Sequence, residues 1–208
     1  MAIIDQLATS LNRKDEAPNQ ELAKNIADQA DKNAVKELVD LLNHKDKNIQ
    51  SDGIKVLYEI GELEPSLIAD YSKELIALLD SKNNRLVWGA MTALDTITLI
   101  TPSAIYSEIA KIIDIANMGS VITRDHGVGI LIKLASTEQY AEHAFSLLVE
   151  QLKNCPTNQL PMYAENAVPI INDKNKTMFI DVLASRLSEI EKDSKRKRVE
   201  KVMKKLNA

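Results

Sequence analysis

The sequence predicts an all-α protein built as a solenoid of about five stacked helix pairs, and three observations carry that reading. The outline Gly53, Val56, Leu57, Ile60 returns 37 residues later as Ala90, Ala93, Leu94, Ile97, and again as Gly127, Ile130, Leu131, Leu134. A fourth step reaches Ala164, Ala167, Val168 and Ile171, so every step keeps a small residue first and aliphatic or small residues after it. Pro65 and Pro102 share the 37-residue interval, and each opens a unit at a first helical position, where a missing N–H removes no intrahelical bond. Finally, six Gly, six Pro and 4% aromatic residues in a chain of 208 are too few turn formers and ring residues for a β-rich fold.

An apolar fraction of 45% beside 27% charged residues is that of a soluble protein with a sizeable core. The formal charge of −4 supplies no general attraction to nucleic acid or to an anionic membrane. Cys155 is the single cysteine, which excludes an internal disulfide and a paired-thiol zinc motif. No apolar run reaches the roughly 18 residues of a membrane span, and the opening Met-Ala-Ile-Ile-Asp-Gln-Leu has neither the basic nor the long apolar part of an export signal. A soluble cytoplasmic protein is expected. His44, His126 and His143 show no metal-ligand spacing, and neither a Gly-rich phosphate loop nor an HExxH-like pair occurs. No catalytic, metal or cofactor site is therefore predicted.

Taken in order, Ile3, Ile4, Leu7 and Leu11 share one helical face and predict a helix over 2–11. A polar loop with Pro18 then precedes a second helix at about 19–30, marked by Leu22, Ile26 and Ala30. Both are thinly apolar, as suits a terminal unit with one neighbour. Val35, Leu38, Val39 and Leu42 predict a helix over 33–43, followed by a polar turn to Asn48. The next run, Ile49, Gly53, Ile54, Val56, Leu57, Ile60, is apolar over more than one stripe and must be covered on two sides. Pro65 and Pro102 each start a helix, a polar break and a second helix: Leu67 to Leu79 then Leu86 to Ile97, and Ile105 to Ile115 then Ile122 to Leu134. Ser136-Thr137-Glu138-Gln139 reads as a capping box opening a helix with Ala144, Leu148 and Leu152. Pro169 lies inside the helix that begins near Pro161 and predicts a kink or an early stop. The last unit pairs Phe179, Leu183, Leu187 and Ile190 with Val199, Val202, Met203 and Leu206, under a charged outer face suited to a cap.

The unit Leu41-Leu42, a turn with Asp46, then Ile49, Gly53, Leu57 and Ile60 resembles a HEAT repeat, as does Leu78-Leu79, Asn83, Leu86, Ala90, Leu94, Ile97. The resemblance, clear over 34–173, implies a right-handed, armadillo-like superhelix forming one domain over 1–208. Its units are a cap at 1–32, repeats at 33–64, 65–101, 102–137 and 138–173, and a cap at 174–208. HEAT repeats usually link along the stack through a turn aspartate and a basic residue. Here those columns read Asp46, Asn83, Ser120, Thr157 and Gln50, Val87, Arg124, Pro161. That departure predicts stacking by apolar burial rather than by a polar ladder.

In HEAT-like arrays the second helix of each pair lines the concave side, which makes Asp52, Lys55, Glu59, Trp88, Thr92, Asp95, Asp125, His126, Tyr163 and Asn166 the candidate partner-binding face. Trp88, the single tryptophan, is either an exposed anchor for a partner or packing between units. Asp125 adjoins His126, but adjacent helical side chains diverge, which argues against acid-base chemistry there. The basic run Lys192 to Arg198 is interrupted by acidic residues and has no interleaved aromatic side chain, so a solvated helix face is expected. The resulting expectation is a non-enzymatic scaffold that binds a protein or peptide. Two alternatives stand beside it. The length and helix-pair design are similar to bacterial HEAT-like DNA alkylpurine glycosylases, which implies a basic aromatic groove around a catalytic aspartate, whereas the acidic columns here count against nucleic acid. The other is a structural subunit that self-associates.

Overall fold

The computed structural model describes residues 2–207; Met1 and Ala208, the outermost positions of the two expected caps, lie outside the described residues. Among those residues there are α-helices and short 3-10 turns and no strand. The helices are α1 (Ala17–Gln29), α2 (Lys32–Leu41), α3 (Lys47–Leu63), α4 (Ser72–Ala77), α5 (Asn84–Ile97) and α6 (Pro102–Ser107). They continue with α7 (Ile109–Met118), α8 (Val121–Ala135), α9 (Ala141–Asn154), α10 (Leu160–Ala167), α11 (Lys176–Arg186) and α12 (Asp193–Asn207). They group into two compact units, Met1–Gly127 and Val128–Ala208, with the boundary inside α8.

Within the first unit α1 packs on α3, α3 packs on α5, and α2 closes against α3. The two-sided cover that the α3 sequence demanded is therefore supplied by helices from both neighbouring pairs. Val56, Leu57, Ile60, Ala90, Ala93, Leu94 and Ile97 are all buried, as are Ile130, Leu131 and Leu134 in the second unit. The repeated outline is thus the core outline. Each fully buried aliphatic side chain contributes about 1.5–3 kcal/mol by leaving water. Helix starts are marked by short polar side chains on extended backbone. Asp31 accepts from the N–H groups of Asn33 and Ala34, Asp46 from Asn48, and Asn83 from Arg85. Close approach of α5 to α3 depends on Gly89, where an added Cβ would sit 2.7 Å from Ile54 Cγ1. In the second unit α11 packs on α9 and α10 on α12.

Several local expectations change. The predicted helix over 2–11 is a 3-10 turn at Ile3–Gln6 followed by turns, and Leu11 is 50% exposed. Leu7 is extended, and the N–H groups of Ala8 and Thr9 bond to the side chains of Asn19 and Asp52 instead of to a preceding turn. Pro18, expected in a loop, lies in the first turn of α1, where proline is tolerated. The helices after Pro65 and Pro102 are broken into pieces, and the break itself repeats: Tyr71 (φ −98°, ψ 19°) and Glu108 (φ −109°, ψ 13°) occupy equivalent places 37 residues apart. Ser136 does not cap the next helix, because α9 starts only at Ala141; its hydroxyl donates to the Lys133 carbonyl at the end of α8. Pro169 does end its helix early, at Ala167, which leaves Ile171 outside helical structure. One polar rung also forms where none was expected, the Asn83 amide donating to Gln50 Oε1 at 3.1 Å. Two amides replace the aspartate and the basic residue.

Candidate functional site

A connected polar surface lies where the segment before α1 meets α3 and α5. Asp52, in the second turn of α3, accepts from the Thr9 N–H at 2.7 Å and from the Asn19 amide at 2.8 Å. Asn19, itself 1% exposed, accepts from the Ala8 N–H at 2.9 Å. Glu16, just ahead of α1, reaches both Lys55 of α3 at 2.9 Å and Arg85 of α5 at 3.3 Å. Lys55 also pairs with Glu59 one turn on, where i and i+4 share a face. Each of these cations lies over a ring: Lys55 Nζ is 4.8 Å from the Tyr58 centroid, and the Arg85 guanidinium 5.8 Å from that of Trp88. The two rings pack at 5.8 Å with a 51° tilt, within the range aromatic pairs prefer. Glu16, Asp52, Lys55, Arg85 and Trp88 border a cavity of about 480 Å3 in this unit.

Burial opposes the charge on Lys55, but hydrogen bonds with Glu59, Tyr58 and Glu16 outweigh it and hold the ammonium well above the usual lysine range. The hydrogen bond from Lys55 in turn holds the Glu16 carboxyl below its ordinary value, against the pull of partial burial. Desolvation raises the Tyr58 hydroxyl despite the nearby ammonium. At neutral pH the site is therefore a carboxylate held between two cations on an aromatic floor.

The candidate residues divide accordingly. Asp52, Lys55 and Trp88 border one cavity, and Glu59 joins through Lys55. Trp88 is partly exposed: it packs on Tyr58 while also bordering the cavity. Three residues depart from the expected open face. Lys55 is 8%, Thr92 7% and Tyr163 1% exposed. Thr92 bonds back to the Trp88 carbonyl, and Tyr163 lies in the packed interior of the second unit, so neither presents its side chain broadly. Asn166 is exposed on α10. His126 pairs with Asp95 of α5 at 2.8 Å, a partner 31 residues away rather than the adjacent Asp125. Glu16 and Arg85 were missed by sequence reasoning. Arg85 had a signal, lying three residues before Trp88 on the same face. Glu16 had none, since 39 and 69 residues separate it from its partners.

In the second unit the basic run is largely tied down. Arg198 forms a two-pronged pair with Glu165 of α10, Lys195 bonds Asn158, Lys197 pairs with Asp193, and Arg196 donates to the Ile190 carbonyl. Buried Arg186 donates from one nitrogen to the carbonyls of Leu152, at 2.8 Å, and Cys155, at 3.0 Å, where α9 runs out of intrahelical donors. Its other nitrogens hold Glu189. Among the described residues, no group of three or more His, Cys, Asp or Glu side chains gathers to hold a metal, and no helix is long and apolar enough to cross a membrane.

The chain is similar in structure to designed helical-repeat proteins. A designed armadillo repeat protein in complex with the peptide (KR)4 superposes with a TM-score of 0.65 at 17% identity, over 99% of this chain and 98% of its own. Computationally designed armadillo repeat proteins for modular peptide recognition match with 0.62 at 15% identity, over 97% of each chain. An engineered protein matches with 0.62 at 19% identity, over 100% of this chain and 97% of its own. At such identities the likeness establishes the fold: an all-α repeat array of the armadillo or HEAT type. No protein-family model and no curated protein matches the sequence.

Proposed function

We propose that this protein is a non-enzymatic repeat scaffold that binds a protein or peptide segment on the surface of α3 and α5 around Trp88. The observation that carries this reading is a partly exposed tryptophan, the only one in the chain, packed on a second ring and bordering a polar cavity of about 480 Å3. Aromatic anchors flanked by arginine are what dominate binding energy at protein interfaces. The folds of designed proteins that recognise peptides support it at the level of architecture. We keep the repeat boundaries at 33–64, 65–101, 102–137 and 138–173 with caps at either end, and a cytoplasmic working place, where the lone buried thiol of Cys155 stays reduced.

The test compares affinity capture from a native lysate by the wild-type chain and by Trp88→Ala, followed by calorimetry on any protein retained. Loss of an anchor of this type weakens binding by at least about tenfold. Equal retention by both chains removes the reading. A duplex-DNA titration at low salt separates it from the glycosylase-like alternative, since phosphate attraction is greatest there; the scaffold reading expects no binding.

A further inference from the structure

We infer that the partner presents an acidic side chain to Lys55 and Arg85 beside Trp88, and that Glu16 occupies this place in its absence as an internal competitor. The inference rests on the scaffold reading above and adds the chemistry of the ligand to it. Three features of the site lead to it. Two cations from different helices converge on a single carboxylate, at 2.9 and 3.3 Å, and that carboxylate stands at the N-cap of α1, on a third helix. Both cations also lie over aromatic rings, a contact each makes besides its pairing with Glu16. Lys55 is 8% exposed and already has Glu59 as a second partner, so its charge stays compensated when Glu16 leaves.

Glu16 is suited to leave. Its side chain is 47% exposed and Arg85 is 55% exposed, and ion pairs so open to water are individually weak. An incoming carboxylate takes over the same two cations, and an apolar residue next to it covers the exposed part of the Trp88 ring. The exchange is one ion pair for another plus apolar burial, so net affinity comes from the flanking residue while the carboxylate sets selectivity. The arrangement disfavours a basic peptide at this place, because a lysine or arginine would meet Arg85 and the buried ammonium of Lys55.

The test uses fluorescence anisotropy of labelled (Glu-Leu)4, (Gln-Leu)4 and (Lys-Leu)4 peptides with the full chain, its Glu16→Gln variant and its Arg85→Gln variant, each checked for an unchanged circular dichroism spectrum. The expected result is that the wild-type chain prefers (Glu-Leu)4. Glu16→Gln strengthens that binding roughly fivefold and leaves (Gln-Leu)4 unchanged, and Arg85→Gln abolishes the preference. Equal binding of the Glu and Gln peptides, preference for (Lys-Leu)4, or no gain from Glu16→Gln overturns the acidic-ligand inference while leaving the scaffold reading in place. Absence of binding by any peptide to any of the three chains likewise overturns the acidic-ligand inference, and the Trp88→Ala capture comparison decides the scaffold reading separately.

Discussion

The two units use their long polar side chains differently. In the second, Arg186 is buried against the end of α9 and fills its loose carbonyls, while Arg198 joins α10 to α12 through Glu165. In the first, Lys55 and Arg85 hold a loop carboxylate over two rings and border a cavity. The same helix-pair plan thus yields one region where charge closes the fold and one where charge lines an accessible surface. What separates Arg186 from Arg85 is burial. Arg186 is 8% exposed and its removal takes a charged donor from two buried carbonyls, whereas Arg85 is 55% exposed and its removal leaves Glu16 still paired with Lys55.

The largest expected effect follows from that contrast. Arg186→Met should destabilise the protein by about 3 kcal/mol in urea unfolding, because the Leu152 and Cys155 carbonyls lose a charged donor inside the fold. Arg85→Gln should cost less than about 0.5 kcal/mol. Similar costs for the two substitutions would erase the distinction between the units.

Glycines sharpen the description of the first unit at an intermediate scale. Gly89→Ala drives a methyl to within 2.7 Å of Ile54 Cγ1, near the branched root of that side chain, so a net loss of about 1–2 kcal/mol is expected in thermal unfolding. Gly53→Ala meets its nearest atom, the Leu38 carbonyl oxygen, at 3.6 Å, an ordinary contact, and gains helix propensity of about 0.5–1 kcal/mol. Opposite signs at these two glycines, one on α3 and one on α5, would show that the α3–α5 spacing, and with it the aromatic floor, depends on Gly89.

The smallest effect is the response to acid. Glu16 titrates below its ordinary value of 4.5 in the folded chain, so its pairing stabilises fully at neutral pH and is lost as pH falls through and below that value. Glu165 shifts in the same direction through its hydrogen bond with Arg198. Trp88 is the only tryptophan and lies in the first unit, so its fluorescence reports the first event alone. Glu16→Gln should remove the acid-dependent change in Trp88 emission, and Glu165→Gln should leave it.

How much of this was legible in the sequence depends on distance along the chain. The periodic small and aliphatic residues marked the buried positions of α3, α5 and α8 because a 37-residue period returns to the same helical face. Pro169 announced the end of α10 through its own backbone. The repeated break at Tyr71 and Glu108 was invisible, since the apolar spacing continues across it. Ser136 misled because a hydroxyl caps the end of one helix as readily as the start of the next. Thr92 and Tyr163 sat in the expected columns yet turned out covered, since a column position does not say how closely neighbours approach.

By itself the sequence determined the class of fold, the repeat interval and the composition of the core, because these follow from short-range periodicity and the exclusion of apolar side chains from water. Tertiary structure alone decided that Glu16 meets Lys55 and Arg85, that Asp95 rather than Asp125 holds His126, and that Arg186 serves the end of α9. Each of these is a charged or polar pairing across 31 to 69 residues, or between different helices, set by where the chain folds back and carrying no period for a sequence to display.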